Sequence, residues 1–531
     1  MANPFIRLDD LARILRAVLK TQTSGRTPTY DAAKGEYTNL GDYWAQHATG
    51  DIYGTAFPTY SASNSPDGVK VQANANLTIE PSTNTTMGRD DYATLNPFRV
   101  FDVNATVGDD GIPHVTAIRG YDNRYRKDGT NGDVWVMAAP LYYRWEETGT
   151  TRTILISDMP HAGYSPAPGV TLPDGGKRGF MLYAKYPAVA GADGLAHSFS
   201  GADSIQNVST ATCTAWIPKR GKGYSGLTTA DVWYWRTMLM VKYGTRNSDV
   251  LGGDFNHNSQ NEVLTSENGT HRVIVSNTAA AWYHVGSYVN IGTNNDRGYA
   301  DNYKTARMRR VVSKTTIDAT HVALNLDGDA FDAIASTSAA KQYVTSMPYK
   351  TGATDDILGV DGRPWFDYDK LRQPIRLQGI ELFTGRYENQ SDIILNLVKD
   401  SDDLGHVDMY RTYDMTKASS SGDTTNYKLV GTLPSVTKTQ DGNWQYQTDV
   451  TCIDGYYLPT GTGGTSTTGL CDAMWINPIT HTDGAQHALR VGGTLWNVSA
   501  AGLFCVCGGD SLGWAHWHCA GRLSALGRSK A

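Results

Sequence analysis

The chain has 531 residues, 40% of them hydrophobic, 10% aromatic and 19% charged, with a net charge of −6. That length corresponds to about three or four domain equivalents and carries enough apolar content for packed cores. Mild acidity leaves no electrostatic footprint for nucleic acid, no window reaches the ~20 uninterrupted apolar residues of a membrane-spanning helix, and six cysteines make no disulfide framework. The 55 glycines and 30 tyrosines favour short strands and many turns. Asp9, Asp10, Arg13 and Arg16 stand where a signal peptide carries its apolar region, so synthesis in a cytoplasm is expected. The sequons at Asn76 and Asn207 then have no glycan to accept.

Residues 3–20 read as a helix, with Asn3 as N-cap, Pro4 at the first helical position, early Asp9 and Asp10, and late Lys20. Leu8, Leu11, Leu15 and Val18 form a short coiled-coil seam. It suits a surface helix packed on its own domain and an oligomer contact equally well. Residues 1–89 are assigned to this helix and an attachment or oligomerisation region, within which residues 21–84 are expected to be extended or loosely packed.

From residue 90 the pattern is β: "VFDVNATV", "VWVMAAPLYYRW" and "TRTILISDM" alternate or run apolar between turn clusters. A second helix follows, with Thr228 and Asp231 as capping pair, Val232, Trp235, Leu239 and Tyr243 on one face, and Gly244 at its end. Residues 90–254 therefore form a first part. Residues 255–365 read as a β-rich insertion carrying "HRVIVS", "SYVNIG", "RMRRVVS" and "HVALNLDG". Its basic run from Lys304 to Lys314 is the solvated face of a strand or loop. Residues 366–531 form the second part, strands mixed with Gly/Ser/Thr loops, and no internal repeat is visible.

Phosphate-loop, zinc-hydrolase and serine-hydrolase signatures are missing. "DFNHNSQNE" at Asp254 begins like a calcium loop but lacks the sixth-position glycine and twelfth-position glutamate, so a polar loop is expected. The acidic pairs Asp355/Asp356 and Asp402/Asp403 carry no signal beyond loop solvation. Chemistry concentrates at the terminus, where Cys505, Cys507, His516, His518 and Cys519 stand among Trp496, Trp514 and Trp517. Cys505 and Cys507 are one residue short of zinc spacing. In a strand they share a face but diverge too far for an easy disulfide. Ordinary buried or part-exposed cysteines are the expectation, with no metal and no cofactor.

"GGTLWNVSAAGLF" and "WHCAGRLSALGR" resemble the end of the C-type-lectin-fold variable proteins of diversity-generating retroelements. The matching residues are Gly492, Gly493, Trp496, Ala501, Gly502, Leu503, Phe504, Trp517, Gly521, Arg522 and Leu523. "DVWYWRTMLMVKYGTRNSD", "IRLQGIELFTGRYENQSDIIL" and "YYLPTGTGGTSTTGLCDAMWIN" are similar to phage members. The resemblance implies an α+β class: a C-type lectin fold, like that of formylglycine-generating enzymes, from about residue 90 to the end, interrupted by the insertion and preceded by the N-terminal helix. The enzyme branch of that fold places a terminal cysteine pair in a Ser-Tyr-x-Cys-x-x-Ser-Tyr-Cys setting, which this chain lacks. Calcium-dependent sugar-binding members carry motifs from which "QPI" at Gln373 and "WNV" at Trp496 depart.

In the variable-protein family, error-prone copying at template adenines converts Asn codons into a limited menu of residues. Leu495, Val498, Cys507, Gly508, Asp510, Gly513, His516 and His518 fit that menu, whereas tryptophan is outside it. The resemblance thus implies a variable region at about 490–524. Thr494, Leu495, Asn497, Val498, Ser499, Cys507, Asp510, Gly513, Trp514, His516 and His518 would form a ligand-binding patch, held on Trp496, Trp517 and Arg522 as scaffold. It further implies a non-enzymatic phage or prophage receptor-binding protein, a tropism determinant carried on a tail or tail fibre. Such a protein would form a homotrimer, contact other tail proteins, bind a bacterial surface receptor, and neither insert into membranes nor bind nucleic acid. A formylglycine-generating-type oxidase and a cell-surface adhesin are the alternatives.

Overall fold

The computed structural model describes residues 27–172, 175–252, 258–365 and 373–527. Strands take 39% of the chain and helices 10%, which overturns the expected α+β class and its C-type lectin fold in favour of a mostly β architecture built from many sheets. The expected helix over residues 3–20 lies outside the described residues. The shortage of helix fits the sequence: segments rich in Val, Ile, Thr and Tyr lie between closely spaced glycine turns and satisfy their backbone across strands.

Three sheets build the main body. The first is antiparallel, with Ser165–Pro166, Tyr142–Thr148, Thr151–Ser157, Tyr53–Pro58 and Val69–Gln72 in that spatial order. The second orders Ser225–Gly226, Leu523–Ser524, Met181–Ala184, Asp133–Ala138, Val100–Val107 and Pro113–Ile118. The third orders Lys428–Thr437, Leu404–Arg411, Tyr387–Lys399, Gln486–Gly492, Gly502–Cys507, Ala473–Trp475 and Gln445–Tyr446, and Cys519–Ala520 adds in parallel to Tyr387–Lys399.

Residues 21–84, expected to be loose, are instead integrated where described. Tyr53–Pro58 pairs on both sides, and the short helix Leu40–His47 buries Leu40, Tyr43 and Trp44. Its large aromatic side chains show no period, yet each brings enough apolar area to join the common core. That core runs from Tyr37 through Trp135 and Tyr234 to Trp517 and Ala525. Residues 258–365 carry their own antiparallel sheet over Gln260–Met347, around Val273, Tyr283, Val289, Ile291 and Leu324.

The helix Thr229–Met238 begins at Thr228, whose N–H and Oγ1–H both donate to Asp231 at 2.9 and 2.7 Å. A π-helical turn, Leu239–Tyr243, extends it, and Gly244 ends it at φ +67°. One apolar face was expected, but all ten residues of Thr229–Met238 are buried. Arg236 is accommodated inside because its Nε donates to the Leu503 carbonyl at 2.7 Å and its guanidinium lies 5.2 Å from the centre of the Phe504 ring. The helix is therefore enclosed, and it supports the strand that leads into the terminal loops.

Arg522 closes the body. Its fully buried guanidinium donates to both Glu388 carboxylate oxygens, at 2.6 and 2.7 Å, and to the carbonyls of Ala184 and Glu381 at 2.9 and 2.7 Å. One side chain thus ties the chain end to the second and third sheets. Removing one partner of such a pair strands a buried charge, at a cost of about 3–5 kcal/mol. Arg522→Ala and Glu388→Ala should each lower the urea unfolding midpoint by a corresponding amount. A change under ~1 kcal/mol in both would contradict this role.

Candidate functional site

Two loops of the terminal segment reach the surface, and both are held from beneath. The first follows strand Gln486–Gly492. Asn497 folds it inward, its Oδ1 accepting from Thr494 N–H at 2.7 Å and Thr494 Oγ1–H at 2.9 Å. Only glycine fits at Gly493, where an added Cβ would lie 2.2 Å from Ala501 Cβ. The loop returns to strand Gly502–Cys507, where Phe504 N–H donates to Asp472 at 2.7 Å. This tight turn buries Thr494 and Leu495 completely and turns Trp496 and Val498 outward, 38% and 40% exposed.

The second loop spans residues 508–518. Buried Arg490 donates to Asp510 at 2.7 Å, and its guanidinium lies 4.7 Å from the centre of the Trp514 ring. Trp514 stacks on His516, centroids 5.4 Å apart and planes 13° apart. His516 Nδ1 and His518 Nδ1 are 2.9 Å apart, a bond that needs a proton on only one of the two nitrogens. Trp496 meets Trp517 and His518 edge-on at 4.9 and 4.8 Å. Below, Arg386 Nε donates to the Trp517 carbonyl at 2.9 Å, and Tyr387 N–H donates to the His518 carbonyl at 2.8 Å.

The structure therefore divides the expected patch. Trp514, His516, Ser499 and Asp510 are half-buried, and Val498 and Gly513 are exposed. Thr494, Leu495, Asn497, Cys507 and His518 are buried, which corrects the expectation that they face a ligand. Cys507 lies on a strand covered on both faces, while Thr494, Leu495 and Asn497 form the inside of the turn. Trp496, expected as scaffold, is the most exposed tryptophan of the terminal segment, whereas Trp517 and Arg522 are buried.

All six cysteines are free, and Cys505, Cys507 and Cys519 are buried. Burial pushes their thiols up, that of Cys519 to about 12, so none is a thiolate at neutral pH. Burial, followed by His516, pushes His518 down to about 2 and keeps its ring neutral. Burial also lowers the His516 pKa. Among the described residues no group of three His, Cys, Asp or Glu side chains could hold a metal ion.

Sequence reasoning missed the neighbour of these loops. Asn258, Gln260, Asn295, Asp296 and Arg297, all within the span assigned to the insertion, line a groove of about 330 Å3 with Trp496, His516 and Trp517. The Arg297 guanidinium sits 4.8 Å from the centre of the Trp517 ring. No local sequence signal connects segments so far apart in the chain. A larger cleft, about 610 Å3, opens beside Tyr143, Arg178, Arg411 and Asp454 and takes none of its lining from residues 490–524.

No protein-family model matches this sequence, and no curated protein does.

Three outcomes test this geometry. Leu495→Ala should cost ~2–5 kcal/mol as a core truncation, whereas Gly513→Ser, on an exposed loop, should stay within ~0.5 kcal/mol. Val498 has φ +48°, a left-handed conformation costly for a β-branched residue and tolerated by asparagine. Val498→Asn should therefore stabilise the fold by about 1 kcal/mol in urea titration. Finally, an unfolded histidine titrates near ~6.5, and the folded His518 value is depressed. Its contribution to stability is thus complete above that pH and is lost as pH falls, because only the unfolded chain takes up the proton. Between pH 7 and 5 this removes about 2 kcal/mol, and His518→Gln should flatten that part of the pH–stability curve.

Proposed function

We propose that this chain is the receptor-binding protein of a phage or prophage, a tropism determinant whose terminal loops are diversified by a retroelement and bind a bacterial surface ligand without catalysis. In this reading it is carried on a tail or tail fibre as a homotrimer in contact with other tail proteins. The carrying observation is the separation of roles within residues 490–524. Trp496, Val498, Gly513, Trp514 and His516 reach the surface on loops that Arg490, Asn497, Trp517 and Arg522 hold from below. Ring-to-ring and guanidinium contacts fix the exposed aromatics, so little ordering entropy is lost when a ligand binds. Tryptophans in such positions are the usual energetic anchors of protein interfaces.

Val498 supports the diversification half of the reading. Its left-handed backbone suits asparagine, and valine is among the residues reached when an Asn codon is miscopied at both adenines. A process blind to folding leaves such local mismatches, and the buried frame tolerates them.

The test is twofold. The DNA beside the gene should hold a near-copy of the codons for the variable region next to a reverse transcriptase gene. Fluorescently labelled protein should bind cells of the host strain, and Trp496→Ala or Trp514→Ala should weaken that binding about tenfold or more while the unfolding free energy falls by no more than ~1–2 kcal/mol. Absence of both the near-copy and cell binding would reject the reading.

A further inference from the structure

The groove between the insertion and the terminal loops combines two kinds of wall. One wall is the Trp496 indole, exposed yet held by edge contacts with Trp517 and His518. The other is a run of short polar side chains, in which Asn258, Asn295 and Asp296 are exposed beside half-buried Gln260. The loop that carries Asn295 and Asp296 is shaped locally. Asp296 N–H donates to Asn294 Oδ1, and Asp296 Oδ1 accepts from Gly298 N–H, both at 2.8 Å.

Arg297 anchors this wall from within. It is 6% exposed and forms no ion pair among the described residues. Its Nε donates to the Ser346 carbonyl at 2.7 Å and its Nη2 to Ser346 Oγ at 3.0 Å. Gln260, turned so that its amide oxygen faces the guanidinium, accepts from Nη1 and Nη2 at 2.7 and 2.8 Å. The arginine thus spends its donors inside the insertion and stacks over Trp517, which sets the polar wall in place against the terminal loops. Asp296, next to Arg297 in the chain, offsets its charge, so no net charge selects an ionic ligand.

We propose that this groove is a carbohydrate subsite that takes a neutral sugar ring of a bacterial surface glycan, with Trp496 as the stacking platform and Asn295 and Asp296 as the hydroxyl-binding groups. The proposal rests on the reading of this face as receptor-binding and names its ligand class. Amides both donate and accept, and a carboxylate accepts from adjacent hydroxyls. A sugar presents hydroxyls at its rim and C–H groups on its face, which answers both walls at once. An apolar peptide side chain would cover the indole but leave the amides and carboxylate desolvated without partners, at a cost for each. About 330 Å3 lies at the lower end of small-ligand sites, room for one or two sugar rings rather than for a folded epitope. In this arrangement the insertion and Trp496 supply the constant part of the site, and His516 is the lining residue that diversification can change.

The experiment is a titration of the full chain with methyl glycosides of glucose, galactose, mannose, rhamnose and N-acetylglucosamine, followed by saturation-transfer NMR and tryptophan fluorescence. At least one should bind saturably, and Asp296→Ala, Asn295→Ala and Trp496→Ala should each weaken it about tenfold or more. Asn295→Ala lies on an exposed position and should unfold as the parent does, and Asp296→Asn, which keeps an acceptor for Gly298 N–H, separates loss of the carboxylate from loss of the loop bond. No saturable binding by any glycoside, or binding that Asp296→Ala leaves unchanged, overturns the subsite. Host-cell binding separates this from the broader reading. Loss of cell binding after periodate oxidation of the cells supports the subsite. Binding that survives periodate and is lost after protease treatment keeps the receptor-binding reading and overturns the glycan. Glycoside binding without cell binding keeps the subsite and overturns the receptor-binding reading.

Discussion

The salt bridge between Arg522 and Glu388 is the constraint on which the rest of the molecule depends. Neither group would enter the core alone, since an isolated buried charge costs several kcal/mol. Together, and with the Ala184 and Glu381 carbonyls each accepting from a further guanidinium N–H, they are tolerated in full burial. The arrangement fixes three distant segments at one point. Once Arg522 is placed, Leu523–Ser524 pairs with Met181–Ala184 and Ser225–Gly226, and Cys519–Ala520 runs beside Tyr387–Lys399. Residues 508–518 are then a closed loop with both ends anchored.

This closure explains how reactive and sticky side chains can crowd the terminus of a folded protein. Those that face inward are neutralised by burial: the thiols of Cys505, Cys507 and Cys519 stay protonated, and His518 stays neutral. Those that face outward are held in ring contacts. His516 stands at the boundary, hydrogen-bonded to His518 on one side and stacked on Trp514 on the other. Substitution at the outer positions exchanges surface chemistry without disturbing the frame. Substitution at the inner ones removes packing or leaves a buried polar group without its partner.

Local signals in the sequence were legible, and long-range ones were not. Thr228 and Asp231 announce the helix Thr229–Met238 because a capping box is read within four residues. "HRVIVS" and "HVALNLDG" become the paired strands Arg272–Ser276 and His321–Leu326 because alternation is likewise local. Burial on every side of Thr229–Met238 could not be read, since its polar Thr237 and Arg236 find hydrogen-bond partners in Tyr457 and Leu503, far along the chain. The fold class differs from expectation for a related reason: the terminal motifs and the three shorter segments that carry the resemblance are local, while the strand content of the whole chain decides the class. At the site, variability of a position does not imply its exposure. Inside the Thr494–Asn497 turn the two successive side chains Thr494 and Leu495 both point in, because Asn497 folds back to bond Thr494, and Trp496 is left pointing out.

The central claim is that residues 490–524 consist of an intolerant inner frame and a tolerant outer face that carries binding. A saturation-mutagenesis library of this segment, sorted once for protease-resistant display and once for binding to host cells, tests it most directly. The account predicts that most substitutions at Thr494, Leu495, Asn497, Cys507, His518 and Arg522 fail the stability sort. Substitutions at Trp496, Val498, Gly513, Trp514 and His516 should pass it while changing binding. The opposite pattern, with outer positions required for folding and inner ones freely replaceable, would contradict the account.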